Sequence, residues 1–238
     1  MLRNEPLSSR RGAPRLIDLF CGAGGATKGF QRAGFYVVGV DINPQPHYCG
    51  DEFIQADALE FPLDGFDGGA GSPPCQAFTH GRHIGNRGRT DHPRHIAATR
   101  EKFEAAGFPY AIENVEGARA ELVRPYMLCG SGFGLKVQRH RLFETNFPMM
   151  IPACQHGVWE VKEFPGTPRE DGSRPLSRIV NPMASGCSHE DFAEAMDIDW
   201  MPKRGFRPTE ELREAIPPAF TEHIGHYLML ALTTKAAA

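Results

Sequence analysis

Arg15-Leu16-Ile17-Asp18-Leu19-Phe20-Cys21-Gly22-Ala23-Gly24-Gly25 carries an apolar run straight into a glycine-rich turn. Residues 15–19 read as a buried first strand. Ala26 to Ala33 then reads as a helix closed by Gly34. A strand, a tight turn and a helix are the opening of a βαβ unit, which predicts a parallel sheet. The glycines let a ligand approach the backbone, and the helix that follows offers free N–H groups. No Gly-Lys-[Ser/Thr] follows them, so the turn is not a P-loop.

Outward from that turn the pattern repeats. Phe35 to Val40 reads as a second strand ending at Asp41, and Phe53 to Asp57 as a short third strand. Phe66 to Gly71 reads as a fourth, running into Gly71-Ser72-Pro73-Pro74-Cys75-Gln76. Pro93 to Ala106 has helical periodicity and stops at Gly107. Tyr110 to Val115 is a fifth strand, containing Glu113. In a parallel sheet, ligands bind beyond the carboxyl ends of the strands. The glycine turn, Asp41, Asp57, Cys75 and Glu113 all fall there, which a purely structural explanation does not account for.

Each residue supports a particular chemistry. Asp41 stands where an acid accepts hydrogen bonds from ribose hydroxyls, and Asp57 where one meets the exocyclic amine of an adenine. With the glycine turn they describe an adenosine-type pocket. Two prolines fix the backbone ahead of Cys75, so its thiol is placed to react rather than to pack; a proline-rich turn with an incidental cysteine is the plain alternative. A partly buried Glu113 would have a raised pKa and could donate a proton. A satisfied polar strand end is the plain alternative there.

Of the 238 residues, 41% are hydrophobic and 23% charged, as in ordinary globular chains. No apolar run reaches the length of a membrane span. Residues 1–14 read as a flexible tail rather than a secretory signal, and 233–238 as a frayed end. Six scattered cysteines suit a reducing cytoplasm. Net charge is −3, so contact with nucleic acid must come from a local patch. Residues 80–100 supply one, with Arg82, Arg87, Arg89, Arg94 and Arg100 among four histidines, and glycines at 81, 85 and 88. Such a loop could close over a phosphate backbone or be a solvated basic loop. Gln138-Arg139-His140-Arg141 is a second cationic spot.

Residues 146–188 are rich in proline and glycine and read as a small irregular insert. Phe192 to Met201, Thr209 to Ala215 and the apolar Phe220 to Leu232 read as helices returning to the core, over 189–232. Cys154-x-His156 and Cys187-x-His189 offer ligand types for tetrahedral zinc. Their spacing is not a finger pattern, and unrelated surface residues with no metal is the preferred reading.

In order, Asp18-Leu19-Phe20-Cys21-Gly22-Ala23-Gly24-Gly25, Pro73-Pro74-Cys75-Gln76, Glu113-Asn114-Val115 and Arg139-x-Arg141 closely resemble the motifs of the DNA cytosine-5 methyltransferases. The likeness covers about residues 15–145 and resumes weakly near 190–228. It implies an α/β fold, a Rossmann-like S-adenosylmethionine-dependent methyltransferase sheet with helices on both faces. The catalytic core would be 15–145 and the target-recognition insert 146–188. It implies S-adenosylmethionine as cofactor, with Phe20, Gly22, Gly24, Gly25, Asp41, Ile42, Asp57, Ala58 and Pro74 around it. Cys75 would be the nucleophile, Glu113 its acid partner, and Arg139 and Arg141 would steady the cytosine. Gln76, Arg82, Arg87 and Arg89 would meet DNA. The expected partner is double-stranded DNA and not a membrane, and the expected state is a monomer.

The chain departs from the family pattern in three places. Val137 stands where Gln-x-Arg-x-Arg has its glutamine, the late Gly-Asn-x-x-Pro-Pro is reduced to Ala215-Ile216-Pro217-Pro218, and the insert is short. The last points to a compact phage-like or orphan enzyme with a short or relaxed target. An RNA cytosine methyltransferase, a catalytically silent DNA-binding regulator and a modified donor stand as alternatives.

Overall fold

The first strand places Leu16 on one face of a sheet and Ile17 and Leu19 on the other, all fully buried. Both faces must therefore be covered. The computed structural model describes residues 12–78, 94–156, 180 and 187–236. Strands β1 (Arg15–Leu19), β2 (Tyr36–Asp41), β3 (Glu52–Gln55), β4 (Gly68–Gly71) and β5 (Tyr110–Asn114) pair in parallel. An antiparallel pair, β6 (Tyr126–Cys129) and β7 (His140–Thr145), extends the β5 edge. The order is β3-β2-β1-β4-β5-β7-β6. Strand order reverses between β1 and β4, which opens the crevice where such sheets bind ligands.

The helices are α1 (Gly25–Arg32), α2 (Ile96–Ala106), α3 (His189–Met196), α4 (Glu210–Glu214) and α5 (Pro218–Ala236). Leu16 and Val37 face α1 and α5 through Phe30, Phe220, Ile224 and Leu228. Ile17, Leu19, Val38 and Val40 share the other core with Ile96 and Phe103 of α2. Each fully buried side chain of this kind contributes roughly 1.5–3 kcal/mol. β4 is Gly68-Gly69-Ala70-Gly71 because α2 lies directly on it: a Cβ on Gly69 would come within 2.6 Å of the Phe103 and Phe108 rings. α5 seats on α1 where Gly29 has no side chain to hold the Pro218 carbonyl and Thr221 away. A third cluster packs Phe192, Met196 and Leu212 against Ala23 of the glycine turn.

Several boundaries differ from the sequence-based expectation. β3 stops at Gln55, because Asp57 begins a turn in which its Oδ1 accepts from the Leu59 N–H at 2.9 Å. The β6–β7 pair was not anticipated; its short strands gain their identity by pairing with β5, far away in sequence. The expected frayed end at 233–238 is helical through Ala236. Thr233 and Thr234 donate back to the Leu230 carbonyl at 2.8 and 2.9 Å. Among the described residues, no helix is long and apolar enough to cross a membrane.

Candidate active site

The turn after β1 is built from left-handed backbone. Gly22 and Gly24 have φ of +51° and +89°, and Phe20, with a side chain, has φ of +59°. A non-glycine residue there stores strain of about 1–3 kcal/mol, and such strain gathers at functional sites. Phe20 stacks on His95, with ring centroids 6.1 Å apart. The Gly22 N–H donates to Asp41 Oδ2 at 3.1 Å, so the end of β2 fixes the turn after β1. The other carboxylate oxygen of Asp41 accepts from the Asn43 N–H at 2.9 Å.

These residues fit an adenosine-bearing donor. Asp41 presents a carboxylate with lone pairs left over at the sheet's edge. Ile42 beside it is 64% exposed and offers an apolar surface. Asp57, exposed past β3, offers a second acceptor, with Ala58 buried next to it. Where the late family motif is reduced, the backbone of Ile216 lies against Gly25, so closely that a Cβ there would meet its N and O. Trp200 completes the cradle: its Nε1 donates to the Ala23 carbonyl at 2.9 Å, and Lys28 Nζ lies 5.3 Å over its ring. Trp200 was not foreseen, since nothing near it in sequence marks it.

Below the turn lies a buried polar cluster that sequence reasoning also missed. Thr27 Oγ1 donates to Asp18 Oδ2 at 2.5 Å, while Asp18 Oδ1 is buried without a partner. Burial pushes the Asp18 carboxyl up to about 7, with Asp41 adding in the same direction. Tyr48 fills the space left by Gly39 and Gly50, its hydroxyl 3.2 Å from Thr27 Oγ1.

On the other side of the strand-order reversal sits Cys75. Ser72 N–H bonds to the Leu19 carbonyl at 3.0 Å and Phe78 N–H to the Cys75 carbonyl at 2.9 Å, so the Pro-Pro-Cys turn is held at both ends. Glu113 is 9% exposed, and its Oε1 meets Arg141 Nε at 2.9 Å. Burial raises the Glu113 carboxyl above its ordinary range, with Arg141 and Arg139 opposing. Arg139 is also 9% exposed; its Nη2 donates to the Arg213 carbonyl at 2.5 Å and its Nε is buried unpaired. Burial, and then Arg141, pull its guanidinium down to about 9, still charged at neutral pH.

The thiol is not lowered as its cationic neighbours suggest. Burial pushes the Cys75 thiol up, Glu113 pushes the same way, and Arg141 offsets only part. It therefore rests as a thiol, chiefly because burial disfavours the thiolate, with the Glu113 carboxylate adding to that and Arg141 opposing it.

Two arginines of the expected basic patch serve the fold instead. Arg100 Nε and Nη2 donate to Glu144 at 2.6 and 2.7 Å, and Arg94 pairs with Glu121 at 2.9 Å and lies over Phe78. Arg82, Arg87 and Arg89 lie outside the described residues. Gln76 and Gln138 are exposed beside the site, whereas Val137, in the glutamine position of the family motif, is a core residue packed with Ala23 and Leu212.

The expected Cys154, His156, Cys187, His189 quartet is not assembled. His189 is buried with Nε2 3.3 Å from the Met201 carbonyl, and Cys187 Sγ faces the Ser188 carbonyl at 3.5 Å. Cys154 and His156 meet Cys129 and His140 instead.

Sheet order and helical cover define the Rossmann-like fold of S-adenosylmethionine-dependent methyltransferases; most of the expected insert at 146–188 lies outside the described residues. Residues 13–56, the β1-to-β3 half that carries the glycine turn and Asp41, match the family model described as RNA cap guanine-N2 methyltransferase. The chain is 35% identical over 97 residues to the Type II methyltransferase M1.HphI of Haemophilus parahaemolyticus. That likeness covers 34% of this chain and 26% of the relative. Among solved structures, an E. coli protein provisionally described as a prophage-encoded DNA modification methyltransferase aligns over 93% of this chain and 100% of its own. The TM-score is 0.62 at 16% identity. The methyltransferase EhMeth of Entamoeba histolytica aligns over 92% and 99%, with a TM-score of 0.58 at 12% identity.

Proposed function

We propose that this chain is an enzyme that transfers a methyl group from S-adenosylmethionine to carbon 5 of a cytosine in nucleic acid. The observation that carries the reading is the meeting of Cys75, Glu113, Arg139 and Arg141 in one electrostatic neighbourhood, across the strand-order reversal from the glycine turn.

When bound, S-adenosylmethionine supplies an electrophilic methyl group. Cytosine carbon 5 is a poor nucleophile until the ring is attacked. Cys75 gives up its thiol proton to solvent, Sγ bonds to carbon 6, and the carbon 5–carbon 6 double bond opens to leave an enamine centred on carbon 5. Glu113 stabilises that adduct by donating to ring nitrogen 3, which its raised pKa favours. Arg141 orients the Glu113 carboxyl and balances the negative charge that builds up on the ring. After methylation, loss of the carbon 5 proton re-forms the ring double bond and expels Cys75 as thiolate. A paired cytosine must leave the helix first, at roughly a few kcal/mol.

DNA as the acceptor is supported by the likeness to part of a Type II methyltransferase and by the fold shared with the prophage protein. RNA is the second reading, favoured by the family model over residues 13–56. That stretch holds cofactor-side residues only, so it speaks weakly about the acceptor.

One experiment separates these. Tritiated donor is supplied with duplex DNA and, separately, with cellular RNA, and the nucleosides are resolved by mass spectrometry. Label in 5-methyl-deoxycytidine or in 5-methylcytidine identifies the acceptor. Cys75→Ser should abolish either while retaining nucleic-acid binding; label that persists in that variant would sink the mechanism. Binding without transfer by the intact chain would leave a silent regulator as the reading.

A further inference from the structure

The antiparallel register pairs Cys129, the last residue of β6, with His140, the first of β7. Opposed residues in such a pair project to the same face. The chain then returns after β7 and lays Cys154 and His156 over that face. The Gln155 N–H between them donates to Ser131 Oγ at 3.0 Å, which anchors the return to the β6–β7 connection. Four ligand atoms from two strands and one loop thus lie within 4.8 Å of one another.

The contacts among them are close. His156 Nε2 is 3.1 Å from both Cys129 Sγ and His140 Nε2, and Cys154 Sγ is 3.8 Å from His140 Nε2. Zinc bonds of about 2.3 Å to sulfur and 2.0–2.1 Å to nitrogen, opened to tetrahedral angles, separate ligand atoms by roughly 3.3–3.8 Å. The observed distances fall within a few tenths of an ångström of that range.

Hydrogen bonding among these groups does not explain the arrangement as well. His140 Nδ1 faces Glu116 Oε1 at 3.3 Å. That contact places the imidazole proton on Nδ1 and leaves Nε2 a bare lone pair aimed into the cluster. A carboxylate behind a histidine, with the far nitrogen pointing at a shared centre, is the usual outer support of a metal-ligating imidazole.

We propose that Cys129, His140, Cys154 and His156 bind one zinc ion as a closed, structural tetrahedral site. Two thiolates and two imidazoles suit zinc in both softness and geometry. Four protein ligands leave no open position, so the ion does no chemistry on substrate. Its role is to rivet the start of β7 to the segment that follows the sheet. That start carries Arg139 and Arg141, and Arg141 Nη1 donates to the His140 carbonyl at 2.8 Å. The ion therefore steadies the arginines that face Glu113. Sequence spacing hid the site because its halves come from a strand pair and a later loop.

The test needs no catalytic assay. The full chain, purified reduced and without chelator, is analysed for metals, and should hold about one zinc per chain. After chelator treatment, cobalt(II) is titrated in; the visible absorption of tetrahedral, thiolate-ligated cobalt should saturate at about one equivalent. Cys154→Ser and His156→Asn together should remove the zinc and the thiolate–cobalt band, while Cys187→Ser keeps both. Folded wild-type chain that takes up neither metal overturns the site, as does full stoichiometry in the Cys154/His156 variant or its loss in Cys187→Ser. The wild-type titration decides the matter even if the double variant does not fold.

Discussion

Asn114 Nδ2 donates to the Pro73 carbonyl at 2.9 Å, so the strand that presents Glu113 also holds the turn that presents Cys75. The same side chain accepts from the Val115 N–H at 3.0 Å. Asn114 is thus a positioning residue that sets the thiol and the carboxyl in one frame. Asn114→Ala should lower kcat about 10²-fold, the scale of a misplacement near 1 Å. Donor affinity, measured by calorimetry with S-adenosylhomocysteine, should stay within about twofold, because the glycine turn and Asp41 are untouched. A loss of donor binding equal to the loss of rate would mean general unfolding instead.

Glu113 raises the Cys75 pKa beyond what burial does, and the sign gives a test. Glu113→Gln removes the negative charge that disfavours the thiolate, so the Cys75 pKa should fall. Alkylation of Cys75 by iodoacetamide, followed across pH 6 to 9, should shift to lower pH in the variant. Methyl transfer should fall by about 10²–10⁴-fold, because an amide cannot transfer a proton to ring nitrogen 3. An unchanged alkylation profile would remove the proposed coupling.

Asp18 makes the fold lose stability as pH rises from about 4 to about 7. Burial raises its carboxyl from the ordinary 3.8 to about 7. Between those values the folded state holds a proton that the unfolded chain releases. The stabilisation is therefore complete below the unfolded pKa, falls as pH rises through the interval, and is lost above about 7. Asp18→Asn keeps an acceptor for Thr27 and carries no charge. It should melt higher than wild type at pH 8, by a difference on the order of a few kcal/mol in stability, and at the same temperature near pH 4. Parallel melting curves at all pH values would exclude this role.

Arg100 and Glu144 tie α2 to β7 through two hydrogen bonds, with Glu144 only 2% exposed. Arg100→Met strands a buried carboxylate and should cost about 3–5 kcal/mol in urea denaturation. Adding Glu144→Leu should recover most of that loss, although the Val123 N–H, 2.7 Å from Glu144 Oε2, would then lose its acceptor. Additive losses in the pair would show that the two groups act separately.

Asp41 accepts from Gly22 and also stands where ribose hydroxyls would dock. Asp41→Ala should weaken S-adenosylhomocysteine binding by about 10–100-fold, the loss of one or two hydrogen bonds to a charged group. The far-ultraviolet circular dichroism should not change. Wild-type affinity in this variant would place the adenosine elsewhere.

Much of this arrangement is legible along the chain. Glycines at 22, 24 and 25 announce the turn, apolar runs over 15–19 and 35–40 announce buried strands, and Pro73-Pro74 announces a fixed cysteine. These signals are local: backbone permission, side-chain period and ring stiffness act within a few residues. The strand-end acids are legible for the same reason, since a strand's end is a property of its own sequence.

What the chain alone left open depends on groups far apart in sequence. The β6–β7 pair has no strong pattern of its own and forms because β5 offers an edge. Arg100 reads as a member of a basic patch until Glu144 is seen beneath it. Trp200 closes the glycine turn from 177 positions away. Cys154 and His156 look like half of one quartet and belong to another.

The sequence by itself determined the βαβ frame, the glycine turn and the order in which the chemical groups meet the sheet's edge, because each is written in short-range stereochemistry. Only the tertiary structure decided the protonation and the company of those groups. Burial, opposed charge and ligand geometry arise where distant segments meet. That is why Cys75 rests as a thiol, Asp18 holds its proton to about pH 7 and four residues from β6, β7 and a later loop converge on one point.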